Sequence, residues 1–223
     1  LATLVIILNT LEVDPGRVWK APWRWYHEEM LTCCLPPDAL KKGIVLDQFV
    51  SIAKCNGLNV ELHRATENES ARTFREVVAH ATRKEPHHGI IAVSFARSAL
   101  RQTGGGHFSV IAGYHPDREM VLLLDTARFK YPPHWAPLGR LWKGMCDIDE
   151  DTQLPRGYML IRREDGWEAN LTEAPATKGS KTSGPQEVVT DIQEERSYAE
   201  ALKIFVVSDA AWQVRSLMSS RTP

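Results

Sequence analysis

No apolar run in this chain is long enough to cross a bilayer. The longest, around Leu4–Leu8, falls far short of the roughly 20 residues that a spanning helix needs. It also lacks the basic lead-in of a secretory signal. Charge of one sign is not in excess either. Against 28 Asp and Glu stand 27 Lys and Arg, a net charge of −1, which supplies neither a nucleic-acid face nor an acidic tail. Cysteine is scarce: Cys33, Cys34, Cys55 and Cys146 are the 4 in 223 residues. So few make no disulfide framework, and neighbours such as Cys33 and Cys34 rarely bridge each other. A reducing, cytoplasmic setting is expected. What is left is a globular domain whose partner is a small molecule or a protein, with no nucleic acid and no membrane.

The apolar residues that are present, 43% of the chain, suffice for a real core. Leu1, Leu4, Val5, Leu8 and Leu11 recur at helical spacing, and Ile6 and Ile7 widen that face. The helix ends at Asp14-Pro15-Gly16 and starts without a capping residue. Residues 17–37 read as an irregular segment pinned by Trp19, Trp23, Trp25 and Tyr26. LDQFVSIAKCNG has a helix stripe at Leu46, Phe49, Val50 and Ala53, with Asn56-Gly57 as its C-cap. LNVELHR alternates as a strand. Ser70 caps a second amphipathic helix through Phe74, Val77, Val78 and Ala81, and GIIAVSF, residues 89–95, reads as a buried strand.

From Gly106 the pattern is antiparallel. HFSVIAGY alternates, His115-Pro116-Asp117-Arg118 supplies a turn, MVLLLD reads as a strand buried on both faces, and GYMLIRR follows from Gly157. Residues 164–196 lose the apolar pattern and read as a linker, and 197–223 read as a helical segment. His87-His88 reads as a loop pair, since no H-E-x-x-H pattern accompanies it.

If the turn is centred on Pro116-Asp117, His107 stands directly opposite Asp125, with Cβ atoms about 4.5–5.5 Å apart. An aspartate there fixes the imidazole tautomer and stabilises its cation. Gly104, Gly105 and Gly106 let a backbone or ligand approach the ring. Such a pair is two-thirds of a nucleophilic triad. It also serves as a plain structural contact, and a register slip of one residue would part the two side chains. Cys33, Cys34 and Cys55 are candidate ligands for a soft ion such as Cd²⁺ or Zn²⁺, with small buried hydrophobes as the alternative.

QTGGGHFS, AGYHPDREM, LDTARFKYPPHW and RGYMLI resemble, in order and spacing, the catalytic domain of the phytochelatin synthase family. APWRWYHEEMLTCC and AKCNG resemble its earlier part, so the likeness runs from residue 1 to about Arg163. The resemblance implies an α+β, papain-like fold over 1–163, with a central helix packed on an antiparallel sheet. It makes His107 the general base and acid and Asp125 its orienter. It also implies an acyltransferase. A thiolate attacks the Cys–Gly bond of glutathione, glycine leaves, and the γ-glutamylcysteinyl group passes to glutathione or a growing phytochelatin. No organic cofactor is implied. A heavy-metal ion, Cd or Zn, is implied as activator or as part of the metal-thiolate substrate. Arg97, Arg128 and Lys130 match the family's basic residues and are candidates for binding the acceptor carboxylate.

The family's nucleophile lies in a Cys-Gly-Leu-Ala-Ser-Leu type word. Here Leu1-Ala2-Thr3-Leu4 resembles the remainder of that word without its Cys and Gly. None of the four cysteines sits in a triad-like context, so the chain as written is expected to be inactive. The alternatives are a catalytically silent glutathione- or metal-thiolate-binding protein and a papain-like peptidase with another substrate.

Overall fold

The strand-forming words of the sequence assemble into one antiparallel sheet. In the computed structural model, which describes residues 1–20, 22–66, 70–83 and 89–164, the strands are β1 (Leu58–Arg64), β2 (Ile90–Ala96), β3 (Gly106–His115), β4 (Met120–Leu124), β5 (His134–Pro137) and β6 (Gly157–Arg163). Their spatial order is β1-β6-β2-β3-β4-β5. The helices are α1 (Ala2–Thr10), the short α2 (Ala39–Lys42), α3 (Leu46–Cys55), α4 (Ala71–Ala81) and α5 (Leu138–Cys146). The linker expected over 164–196 falls, Glu164 apart, outside the described residues, as do the helical segment over 197–223 and the His87-His88 pair.

Strand alternation sends side chains to both faces of the sheet, and each face meets its own helices. On one, Ala92, Val110, Met159 and Ile161 pack with Leu4, Ile7 and Leu8 of α1 and Phe49 and Ile52 of α3. On the other, Ile91, Val93, Phe95, Val121 and Leu123 pack with Phe74 and Val78 of α4 and Leu138, Leu141 and Met145 of α5. This is the helix-on-antiparallel-sheet arrangement expected. α1 has no side-chain cap. Instead Thr3, buried within it, donates its hydroxyl to the Phe108 carbonyl at 2.9 Å. The start of α1 is thereby fastened to the strand that carries His107.

α4 begins as expected, with Ser70 Oγ accepting the Thr73 N–H at 3.1 Å. At α3, Gln48 accepts the Val45 N–H at 3.0 Å. Two elements, β5 and α5, were not read from the sequence. A strand of 4 residues is too short to show alternation, and Pro137 and Gly139 look like loop residues. Leu138, Leu141 and Met145 nevertheless form a buried stripe. Gly144 lets α5 pass close to the 3-10 turn Arg97–Leu100, since a Cβ there would meet Ala99 Cβ at 2.9 Å. In β4, Val121 and Leu123 are buried while Met120, Leu122 and Leu124 are only half-buried. The expected full burial of both faces thus holds for one.

Candidate active site

His107 and Asp125 meet, though not as direct partners. Val110 pairs with Leu124 and Ile111 with Leu123, and an irregularity follows before Gly113 pairs with Leu122. Continuing that register puts Asp125 opposite Ser109, so His107 lies diagonally, two residues along the same strand. A shift of two preserves the face where a shift of one would reverse it. Diagonal neighbours remain within reach of long side chains. The His107 Nε2 lies 2.9 Å from Asp125 Oδ1. The contact is off the N–H axis, because Nε2 has no aligned hydrogen-bond partner. We therefore read it as a close polar contact, of the loosely aligned kind that tightens when substrate binds.

Burial governs the electrostatics. His107 is pushed down to about 4, first by desolvation and also by the Arg97 charge; Asp125 pulls it the other way. The ring is neutral at pH 7 and free to accept a proton. At Asp125, burial alone would raise the carboxyl. Hydrogen bonds from Arg97 and the Ala127 N–H, with the charges of His107 and Arg97, outweigh it and hold the group below its ordinary value.

The three predicted cations separate. Arg97 is 6% exposed, and its guanidinium forks onto the carboxylate, Nη1 to Oδ2 at 2.9 Å and Nη2 to Oδ1 at 3.0 Å. Arg128 and Lys130 are exposed, and Lys130 lies 5.5 Å over the Tyr131 ring. Arg97 thus differs from the other two in position: it is a buried partner of Asp125. The glycine run also has a reason within the fold. A Cβ on Gly104 would press on Arg97 Cδ at 3.1 Å, and one on Gly106 would collide with the Arg156 guanidinium. Gly105 alone has open space beside it.

Gln102, Tyr131 and His134 complete the surroundings and were missed from the sequence. Gln102 Oε1 accepts from Arg97 at 2.7 Å. The Tyr131 ring covers the guanidinium at 4.8 Å. Its hydroxyl accepts the Thr103 N–H at 2.8 Å. Gln102 and Tyr131 lie in the quoted words QTGGG and FKYPP, so proximity to the dyad was their only signal.

The cysteines form a second locus. Cys33 and Cys55 are joined in a disulfide, a single bridge in a chain whose cysteines suggest no disulfide framework and a reducing setting. Cys34, at a left-handed φ of 57°, brings its Sγ to 2.6 Å from Cys55 Sγ. All three sulfurs lie within 4.8 Å of one another, so the convergence expected of a soft-metal site is present. A cystine sulfur is not a thiolate, however, and the set fits such an ion only when reduced. Among the described residues no cysteine hydrogen-bonds to His107, and Cys146 is exposed with its thiol raised by burial and by Asp147.

A helix docked by its first turn on an antiparallel sheet, with His on one strand and Asp at the end of the next, defines an α+β domain with a His–Asp dyad. The phytochelatin synthase family model matches residues 1–158, and the chain belongs to that family. Two relatives are 49% identical over 164 residues, 73% of this chain: glutathione gamma-glutamylcysteinyltransferase 3 of Lotus japonicus, 34% of which is covered, and glutathione gamma-glutamylcysteinyltransferase 1 of Arabidopsis thaliana, 33% of which is covered. The glutathione gamma-glutamylcysteinyltransferase of Schizosaccharomyces pombe is 43% identical over 162 residues, covering 72% of this chain and 38% of that protein. The chain spans about a third of the length of these curated relatives. A solved peptidase C39-like domain from a Vibrio parahaemolyticus toxin secretion ATP-binding protein is 16% identical. It covers 58% of this chain and 84% of that one at a TM-score of 0.29, a likeness that carries no argument. Among the described residues, no helix is long and apolar enough to cross a membrane.

Proposed function

We propose that this domain carries the acyl-transfer chemistry of a glutathione γ-glutamylcysteinyltransferase. The observation that supports it best is the neutral, buried His107, held 2.9 Å from Asp125 on the strand to which Thr3 fastens the start of α1. A cysteine ahead of Leu1, as the family resemblance implies, would give its thiol proton to His107. The thiolate then attacks the carbonyl of the Cys–Gly bond of glutathione, His107 returns the proton to the departing glycine amine, and a γ-glutamylcysteinyl thioester remains. The amine of a second glutathione or of a phytochelatin takes the acyl group and frees the thiol. Asp125 keeps Nε2 protonated, which leaves Nδ1 as the basic nitrogen.

Arg128 and Lys130, exposed just beyond Asp125, are proposed to meet the acceptor carboxylate, with metal-thiolate glutathione among the acceptors. Cys33, Cys34 and Cys55, once reduced as in a cytoplasmic setting, would hold a soft ion such as Cd²⁺ or Zn²⁺.

The test uses the full-length protein from its gene, given glutathione and Cd²⁺, with single-turnover glycine release measured by chromatography. We expect His107→Ala to lower release by several orders of magnitude. Release unchanged in that variant, or none from the unaltered protein, would overturn the reading.

A further inference from the structure

Arg97 offers a carboxylate a rigid fork, and the carboxylate it holds is already inside the protein. Only 7% of its side chain is exposed, and none of the Asp125 side chain is. A substrate carboxylate could take this fork only by displacing Asp125 from it. The fork is itself held. Gln102 Oε1 accepts from Nη1 at 2.7 Å, and Gln102 Nε2 stands 3.0 Å from His134 Nε2. His134 Nδ1 in turn lies 2.8 Å from the Pro132 carbonyl. If Nδ1 donates to that carbonyl, Nε2 accepts from Gln102, and the amide orientation follows. The Tyr131 ring closes one face of the guanidinium at 4.8 Å, and the Arg97 N–H is tied to the Gly105 carbonyl at 3.1 Å.

The carboxylate is fixed from several sides. Oδ1 receives Nη2 at 3.0 Å and the Ala127 N–H at 2.9 Å, and Oδ2 receives Nη1 at 2.9 Å. With both oxygens occupied, the plane of the carboxylate cannot rotate, and Oδ1 stays 2.9 Å from His107 Nε2. We infer that Arg97 is the positioning residue of the dyad: it clamps Asp125 so that Oδ1 faces His107, and it does not itself bind the acceptor. This rests on the acyl-transfer reading for its consequence in turnover, but the clamp is a property of the fold and can be measured without turnover. A lysine would keep the charge and lose the fork, because an ammonium cannot grip both oxygens in one plane.

Arg97→Lys and Arg97→Gln are compared with Arg75→Gln, which removes an arginine from an exposed ion pair elsewhere. In the chain as it stands, the Asp125 carboxyl is followed by carbon NMR across pH. Arg97→Gln should move its titration upward, because burial is then opposed by fewer partners, while Arg75→Gln should leave it in place. An unmoved Asp125 would overturn the clamp. In the full-length protein, both Arg97 variants should lose at least about tenfold in single-turnover glycine release, on the scale of losing a residue that orients a catalytic histidine. Glutathione KM should change by less than about twofold, the signature of a lost transition-state interaction. Arg97→Lys decides the point if the glutamine variant fails to fold. Wild-type release from the lysine variant would show that charge without the fork suffices. Loss confined to oligomer formation would return Arg97 to the acceptor site. If the unaltered protein releases no glycine, the acyl-transfer reading fails, while the Asp125 titration still decides the clamp.

Discussion

Arg97–Asp125 and Arg75–Glu119 are both arginine–carboxylate pairs, the first a two-nitrogen fork and the second a single Nε–H shared between two oxygens. Arg75 Nε reaches the two oxygens of Glu119 at 2.9 and 2.7 Å, and Tyr114 also donates to that carboxylate. The distances match those of the buried fork. The Arg75 and Glu119 side chains are, however, 40% and 46% exposed, against 7% and 0% for Arg97 and Asp125. Water competes for every bond of the outer pair, so it contributes little. The inner pair is shielded, and removing either partner strands a charge. Distance alone would rank the two pairs together. Burial separates them and assigns one to the active site and the other to the surface.

The contrast predicts a ranked set of effects. Asp125→Ala leaves Arg97 buried without its carboxylate, which costs about 3–5 kcal/mol. Thermal unfolding at pH 7 should show a loss on the order of 10 °C in Tm. A loss near zero would mean that the pair is hydrated and the contrast is false. At the small end, Arg75→Gln should leave Tm nearly unchanged under the same conditions. A fall comparable to that of Asp125→Ala would erase the distinction between inner and outer pairs.

Much of this architecture was legible in residue order. The alternation of LNVELHR, the stripe of LDQFVSIAKC and the Ser70 cap correspond to β1, α3 and the start of α4, because each is a local preference that the tertiary structure leaves intact. His107 and Asp125 could be paired because strand faces survive a two-residue error in register. The irregularity between Ile111 and Gly113 could not be foreseen. β5 and α5 stayed hidden behind prolines and glycines, since their identity depends on the sheet edge and core they join. Arg97 shows the limit most clearly. Its neighbours in sequence suggest a surface cation, and only the meeting of its turn with the end of β4 buries it against Asp125. The Cys33–Cys55 bond is of the same kind: residues 22 apart are brought together by the path of residues 17–37, which has no periodicity to read.

The central claim is that His107 is a buried, neutral base coupled to Asp125. It is tested most directly by following the His107 ring proton resonances with pH in the unaltered chain and in Asp125→Asn. The account predicts titration near 4 in the unaltered chain. It predicts a lower value in the variant, since Asp125 opposes the depression that burial causes. The sign for stability follows. The unfolded chain takes up this proton near 6.5 and the folded chain only near 4, so acidification through that window favours unfolding. Titration near 6.5 that Asp125→Asn leaves unmoved would contradict the account, for the ring would then be hydrated and uncoupled from the carboxylate.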